Sequence, residues 1–302
     1  MASQESLIVR QFLKEYSKNS SSEFNLEVAR QGLEALSGQY PIPPDITVER
    51  TTIENIPAEW VIAPNADRDR VLLYLHGGAY IMGSLNSHRD LAAKLSRAAA
   101  ISVLVIDYRL APEHPFPAAL EDALTTYRWL LANGFDSQQI VIGGDSAGGG
   151  LTLSTLLSLR DAGDPLPAGA ALLSPWTDLA GTGESMETRR DVDPWLSPDS
   201  SRVVPALYIG SLDRKNPIVS PVYADLTGLP PMLVHVGNDE ILLDDSVRLV
   251  ENGRAAQVDM QLKIWDDMWH VFQSFQIPEA KQAIDEIGQY VNQLLSKVNT
   301  EV

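Results

Sequence analysis

Val141-Ile142-Gly143-Gly144-Asp145-Ser146-Ala147-Gly148-Gly149-Gly150 opens on two β-branched residues, sets one serine among glycines, and runs on into the helix-forming stretch Leu151 to Leu159. Residues 144–148 fit G-x-S-x-G, a sharp strand-to-helix turn that lifts a serine hydroxyl above a sheet. Glycines two positions either side of Ser146 suit such a turn, because it brings neighbouring backbone very close. The pentapeptide is short enough to arise by chance. Its weight comes from context, an expected strand at Ile140 to Ile142 directly before it and a helix directly after. The competing reading is a glycine-rich phosphate turn at a helix N-terminus. It lacks the lysine of a P-loop and the spacing of a dinucleotide fingerprint.

Outward from this turn, β-branched runs are expected to form strands at Ile46 to Thr52, Trp60 to Ala63, Val71 to Leu75, Ile101 to Ile106, Ala170 to Leu173, Met232 to Val236 and Met260 to Ile264. The first two are joined by a short polar turn and read as antiparallel. The later ones alternate with helical stretches at Ser87 to Ala100, Phe116 to Asn133 and Ala147 to Ala162, and a last helix spans about Glu279 to Lys297. Strands alternating with helices imply an α/β protein with a mostly parallel sheet of about eight strands covered on both faces. Ahead of the strands, Leu26, Ala29, Leu33 and Leu36 mark helical spacing and Gly38 offers a stop, so two short helices are expected. Between Pro175 and Pro221 the chain is rich in Asp, Ser, Pro and Trp without a clear strand. That stretch is too long for a simple connection and suggests an inserted, partly helical lid.

Composition narrows the function. The 302 residues are 44% hydrophobic, enough for a large core, and carry 23 basic against 40 acidic side chains, a net charge of −17. Nucleic acid and anionic membrane are therefore poor partners. With no cysteine, thiol catalysis, disulfides and thiolate metal sites are excluded. The start of the chain has no signal-peptide pattern and no stretch is long enough for a membrane span, so a soluble, cytoplasmic protein is expected, without stable membrane association.

A nucleophilic serine needs a base and a place for the oxyanion. Upstream, Val71 to Leu75 runs into His76-Gly77-Gly78-Ala79-Tyr80. There the N–H groups of Gly77 and Gly78, with that of Ala147, could converge on one oxygen. Of five histidines, His76 more naturally braces the glycine turn, His88 starts a helix, His114 lies in a proline-rich loop and His235 falls inside a strand. His270 follows the last strand, where side chains project over the C-terminal edge of the sheet, the usual site in open α/β sheets. The acid should lie just past Met232 to Val236, where Asp239 and Glu240 compete and position alone does not separate them. The N-cap preference for Asp leaves Glu240 as the better orienting acid. The neighbouring pair Asp244 and Asp245 reads as a solvated first helical turn rather than a metal site.

With these residues in place, the chain resembles the bacterial hormone-sensitive-lipase-like (family IV) esterases of the α/β-hydrolase fold. Residues 76–80 resemble the family's His-Gly-Gly-Gly motif, Asp107-Tyr108-Arg109-Leu110-Ala111-Pro112-Glu113 its loop after the fourth strand, and residues 144–149 its Gly-Asp-Ser-Ala-Gly-Gly elbow. The family acid stands in Asp-Pro-Leu-x-Asp, and aligning on Leu242 and Asp244 puts Glu240 in the acid column. Ala79 departs from the family glycine. The resemblance implies a cap built from residues 1–45 and 180–215 over a catalytic domain of 46–179 and 216–302. It further implies short- to medium-chain acyl esters as substrates, no cofactor, and pairing of two subunits at the last strand into a homodimer. Trp176, Trp195 and Tyr208 would line the acyl pocket or pack the cap. The expected reaction is ester hydrolysis through an acyl-enzyme, with Ser146 as nucleophile, His270 as base and Glu240 as orienting acid. An amidase or deacetylase of the same mechanism, and a non-catalytic binder on the same fold, are the rival readings.

Overall fold

The computed structural model describes residues 2–19, 24–37 and 40–296. Gly38 and Lys297, expected as helix ends, lie outside them. Two helices, α1 (Gln4–Asn19) and α2 (Leu26–Ser37), precede the strands β1 (Thr47–Ile53), β2 (Ile56–Ile62) and β3 (Asp67–Leu75). Then α3 (Leu85–Ala99), β4 (Ile101–Ile106), α4 (Ala118–Ala132), β5 (Ile140–Asp145), α5 (Ala147–Ala162) and β6 (Gly169–Leu173) alternate. The long connection after β6 carries α6 (Ser185–Thr188) and α7 (Pro198–Ile209). The chain closes with β7 (Met232–Gly237), α8 (Leu243–Ala255), β8 (Met260–Trp265) and α9 (Pro278–Ser296).

The eight strands form one sheet in the order β1-β2-β4-β3-β5-β6-β7-β8. β2 is antiparallel to β1 and β4, and the other neighbours are parallel. The expected mostly parallel eight-stranded sheet is therefore present, with strand ends within four residues of those read from the sequence. Alternation along β3 explains why its hydrophobic run is continuous. Leu72 and Tyr74 point into a core shared with Leu91 and Leu95 of α3 and Ile284 and Ile287 of α9. Val71, Leu73 and Leu75 point into the opposite core, shared with Tyr127 and Leu130 of α4 and Leu153 of α5. Buried on both faces, Val71–Leu75 carries no charged side chain, unlike the exposed start of the strand at Asp67–Asp69.

A third core has no counterpart in the sequence pattern. Leu13 of α1 and Leu36 of α2 pack with Trp265, Met268, Trp269, Phe272 and Phe275, the segment that follows β8. Trp269 has no exposed surface. Burial of such a side chain is worth about 3 to 5 kcal/mol on truncation, enough to anchor the N-terminal helices against that segment. No helix among the described residues is long and apolar enough to cross a membrane.

Candidate active site

Ser146 sits between β5 and α5 with φ 52° and ψ −120°, in the left-handed half of backbone space that side chains rarely occupy. A side chain at Gly148 would run into the carbonyls of Leu75 and His76. The glycine demanded by the motif is thus a matter of room beneath the turn. From Ile140 to Gly150 every residue is buried except Ser146, which is half-buried. The turn therefore presents one side chain at the C-terminal edge of the sheet.

Glu240 and His270 come to the same edge from the ends of β7 and β8. His270 Nδ1 lies 2.7 Å from Glu240 Oε2, and both residues are buried. Glu240 Oε1 accepts from the Ser174 hydroxyl at 2.7 Å and from the Gly237 N–H at 2.6 Å. Burial opposes a charge on His270, but the hydrogen bond and charge of Glu240, then Asp193, outweigh it and hold the imidazole above its ordinary range.

Asp239 points elsewhere. Its Oδ2 accepts from Arg10 Nη2 of α1 at 2.7 Å. The same guanidinium donates to the carbonyls of Val192, at 2.8 Å, and Asp267, at 3.1 Å. The choice of Glu240 over Asp239 agrees with this geometry, but the N-cap reason does not. α8 begins after Leu242, with no side-chain cap. Asp244 and Asp245 are not a solvated turn either. Asp245 is buried and its Oδ2 accepts the N–H groups of Thr177 and Asp178, while Asp244 accepts from the Ser185 N–H.

The glycine turn needs one correction. Gly77 N–H, expected to face the oxyanion, instead donates to Asp145 Oδ1 at 3.0 Å. Asp145 also accepts from Tyr74 OH at 2.8 Å and lies 3.5 Å from His88 Nε2. Burial resists its charge, yet His88 and Tyr74 outweigh that and keep the carboxyl below its ordinary range. The turn then runs through Gly78, Ala79 and Tyr80, all with positive φ, at 118°, 57° and 63°. His76 braces it as expected: its ring stacks on Tyr108 at 4.1 Å, and the Tyr108 hydroxyl donates to its carbonyl. Burial, then His88, push His76 down to about 3, so it stays neutral. His235 is a core histidine, accepting from Trp265 Nε1.

Sequence reasoning missed Asp193, on the connection before α7. It is buried, with Oδ2 accepting the Ile241 N–H and Oδ1 those of Trp195 and Leu196, each at 2.9 Å. Burial pushes it up to about 6 against those bonds. The only sequence signal was an Asp before a proline and an aromatic residue, which fits a turn as well. Of the three aromatic residues considered, Trp195 sets its edge on His270 at 6.2 Å. Tyr208 of α7 stacks flat on Tyr80 at 3.8 Å, and Trp176 lies 6.3 Å from Tyr80. Among the described residues no group of three or more His, Asp or Glu side chains is arranged to hold a metal ion. A cavity of about 550 Å³ between α3 and α9, walled by Lys94, Arg97, Phe275 and Lys281, includes none of the residues at this edge.

Comparison with known proteins gives a concordant picture. Residues 72–274 match the model of a family described as alpha/beta hydrolase fold. An acetyl-hydrolase of Streptomyces hygroscopicus is 40% identical over 295 residues, covering 96% of this chain and 97% of that protein. The crystal structure of EstE5 soaked with p-nitrophenyl butyrate superposes with a TM-score of 0.94 at 45% identity, covering 98% of this chain and all of that one. An esterase from the bacterial hormone-sensitive lipase family superposes equally well, at 0.94 and 45% identity, over 98% of this chain and 99% of that chain.

Proposed function

Because the chain belongs to the alpha/beta hydrolase fold family, among the bacterial hormone-sensitive-lipase-like esterases, it is a carboxylesterase, and we propose that Ser146, His270 and Glu240 are its nucleophile, base and orienting acid. The observation that carries the assignment is the buried 2.7 Å pairing of His270 Nδ1 with Glu240, at the same sheet edge as the half-buried serine of a strained elbow.

With Nδ1–H donated to Glu240, the imidazole presents Nε2 as the basic nitrogen. His270 takes the Ser146 proton as the hydroxyl oxygen attacks the ester carbonyl, and the carboxylate stabilises the resulting imidazolium. Gly78, Ala79 and Ala147 N–H groups receive the developing oxyanion. Gly77 is the brace of that loop, since its N–H already serves Asp145. A well-aimed donor of this kind is worth about 3 to 4 kcal/mol of barrier. The imidazolium then protonates the departing alcohol, and a water molecule deprotonated by His270 releases the acid from Ser146.

The substrates are small-molecule esters. The acetyl-hydrolase relative and the p-nitrophenyl butyrate soaked into EstE5 point to short acyl chains for this chain as well. The N-terminal helices and the 180–215 segment act as the cap over the acyl pocket, where Trp195 beside His270 and the Tyr80–Tyr208 stack form walls. β8 is an edge strand of the sheet, and we assign to it the pairing of two subunits in a cytoplasmic homodimer. Ser146→Ala assayed on p-nitrophenyl acetate and butyrate tests the mechanism: turnover should fall at least about a thousandfold and covalent labelling by a fluorophosphonate should disappear. Activity near wild type would sink it.

A further inference from the structure

β6 is followed at once by a residue whose backbone and side chain are both unusual. Ser174 has φ 46°, in the left-handed region, and no exposed surface. Glycine or asparagine is the ordinary occupant of such a position, so a buried serine held there implies a use for its hydroxyl.

That hydroxyl serves as both donor and acceptor. It donates to Glu240 Oε1 at 2.7 Å and accepts the N–H of Val271, the residue after His270, at 3.1 Å. Its backbone N–H goes to the carbonyl of His235 on β7 at 2.7 Å. The flanking residues hold the third element: Leu173 accepts the Ser146 N–H at 2.9 Å, and Trp176 donates to the Ser146 carbonyl at 2.8 Å. Three of the four residues 173–176 thus touch the backbone of the elbow, the carboxylate of the acid and the peptide adjoining the base.

We propose that Ser174 is a positioning residue of the hydrolytic site, fixing Glu240 and the His270 loop relative to each other through one hydroxyl. The inference rests on the triad reading above and extends it to a fourth side chain, which acts only through the acid and base and never touches the ester. A carboxylate with two acceptor oxygens can rotate about its terminal bond. Donors from Ser174 and Gly237 occupy Oε1 and leave Oε2 as the oxygen for His270. Without the hydroxyl, Oε1 keeps one donor, the Val271 N–H has no acceptor, and both constraints on the acid–base pair loosen together.

The test uses kcat and KM on p-nitrophenyl butyrate for Ser174→Ala and Ser174→Gly, alone and in a Glu240→Gln background, with Ser146→Ala alongside. Both single variants are expected to lose about 10- to 100-fold in kcat with KM within twofold of wild type. Glycine removes the hydroxyl but relaxes the backbone, so Ser174→Gly should melt no lower than Ser174→Ala while losing as much activity. It also carries the test should the alanine variant fail to fold. In the Glu240→Gln background, removing the hydroxyl should cost less than about threefold more, because its partner is already disabled. The inference is overturned by kcat within twofold of wild type in the glycine variant, by a loss confined to KM, or by a full multiplicative loss in the Glu240→Gln background. Near-wild-type activity of Ser146→Ala would instead overturn the triad reading beneath it.

Discussion

Replacing Asp245 by asparagine should make the protein more stable, and increasingly so as the pH rises. Asp245 opens α8 with its carboxyl buried: Oδ2 takes the N–H groups of Thr177 and Asp178 at 2.7 and 2.8 Å, while Oδ1 is buried with no hydrogen-bond partner among the described residues. Burial, then the nearby charge of Asp178, push it up to about 8, against the two N–H bonds and Arg248. In the unfolded chain the same group titrates near 4. Between those values the unfolded chain is ionised while the native one still holds its proton. Stability therefore falls as pH rises, by about 1.4 kcal/mol per pH unit, until the native group also ionises near 8. An asparagine keeps an acceptor for Thr177 and Asp178 and leaves the same site without a partner as the protonated acid does, but it never ionises. From pH 5.5 to 7.5 the stability difference between Asp245→Asn and wild type should widen by about 2 to 3 kcal/mol in favour of the variant. Urea unfolding of both proteins at pH 5.5, 6.5 and 7.5 measures it, with the remaining carboxylates cancelling in the difference. A difference flat with pH, or one that narrows, refutes the protonated Asp245.

Other expectations follow from the same contacts. Glu240→Ala should lose at least about a hundredfold in kcat whereas Asp239→Ala, which breaks only the Arg10 pair, stays within about fivefold; steady-state kinetics showing the reverse would reassign the acid. Since Glu240 holds His270 above its ordinary range, activity should fall as the pH drops through that raised value, and Glu240→Gln should move the acid limb of kcat/KM to lower pH. An unmoved limb in the pH–rate profile would count against the pairing. Asp145→Ala strands Tyr74 OH and Gly77 N–H, at a cost of about 2 to 6 kcal/mol in urea unfolding, and by releasing the oxyanion loop should lower kcat by about 10²- to 10³-fold. A variant matching wild type in both would show that Asp145 does not hold the loop.

The serine turn, the strands and helices around it and the place of His270 just past the last strand were legible because each depends on local chemistry: periodicity, glycine at a tight turn, and position after a strand. Gly77 was misread because the direction of its N–H is set by Asp145, 68 residues further along the chain. Nothing in the local sequence distinguishes a glycine that faces a substrate from one that braces a loop. Glu240, the acid preferred from the sequence, is the carboxylate that pairs with His270, but the capping reason for preferring it failed. Asp239 is occupied by Arg10, 229 residues away in sequence. Asp245 and Asp193 were invisible for a related reason. An acidic residue in the first turn of a helix, or before a proline, is ordinarily solvated, and only the packing of the β6–β7 connection, which carries Asp193, against the segment after β7, which carries Asp245, makes these two buried. Ser174 offered no pattern at all, since left-handed backbone leaves no mark on a Ser-Pro dipeptide.

The guanidinium of Arg10 bears on how this protein can be re-engineered. It ties α1 at once to Asp239, to the carbonyl of Val192 and to the carbonyl of Asp267. These lie on three stretches of chain, beside the acid, before α7 and beside the base. Grafting the proposed cap of a relative to change the range of esters is therefore not the exchange of one cassette. A transplanted N-terminal pair of helices must arrive with a matching 180–215 segment and with compatible residues at 239 and 267. Chimeras that swap one segment alone would be expected to disturb turnover before they change selectivity.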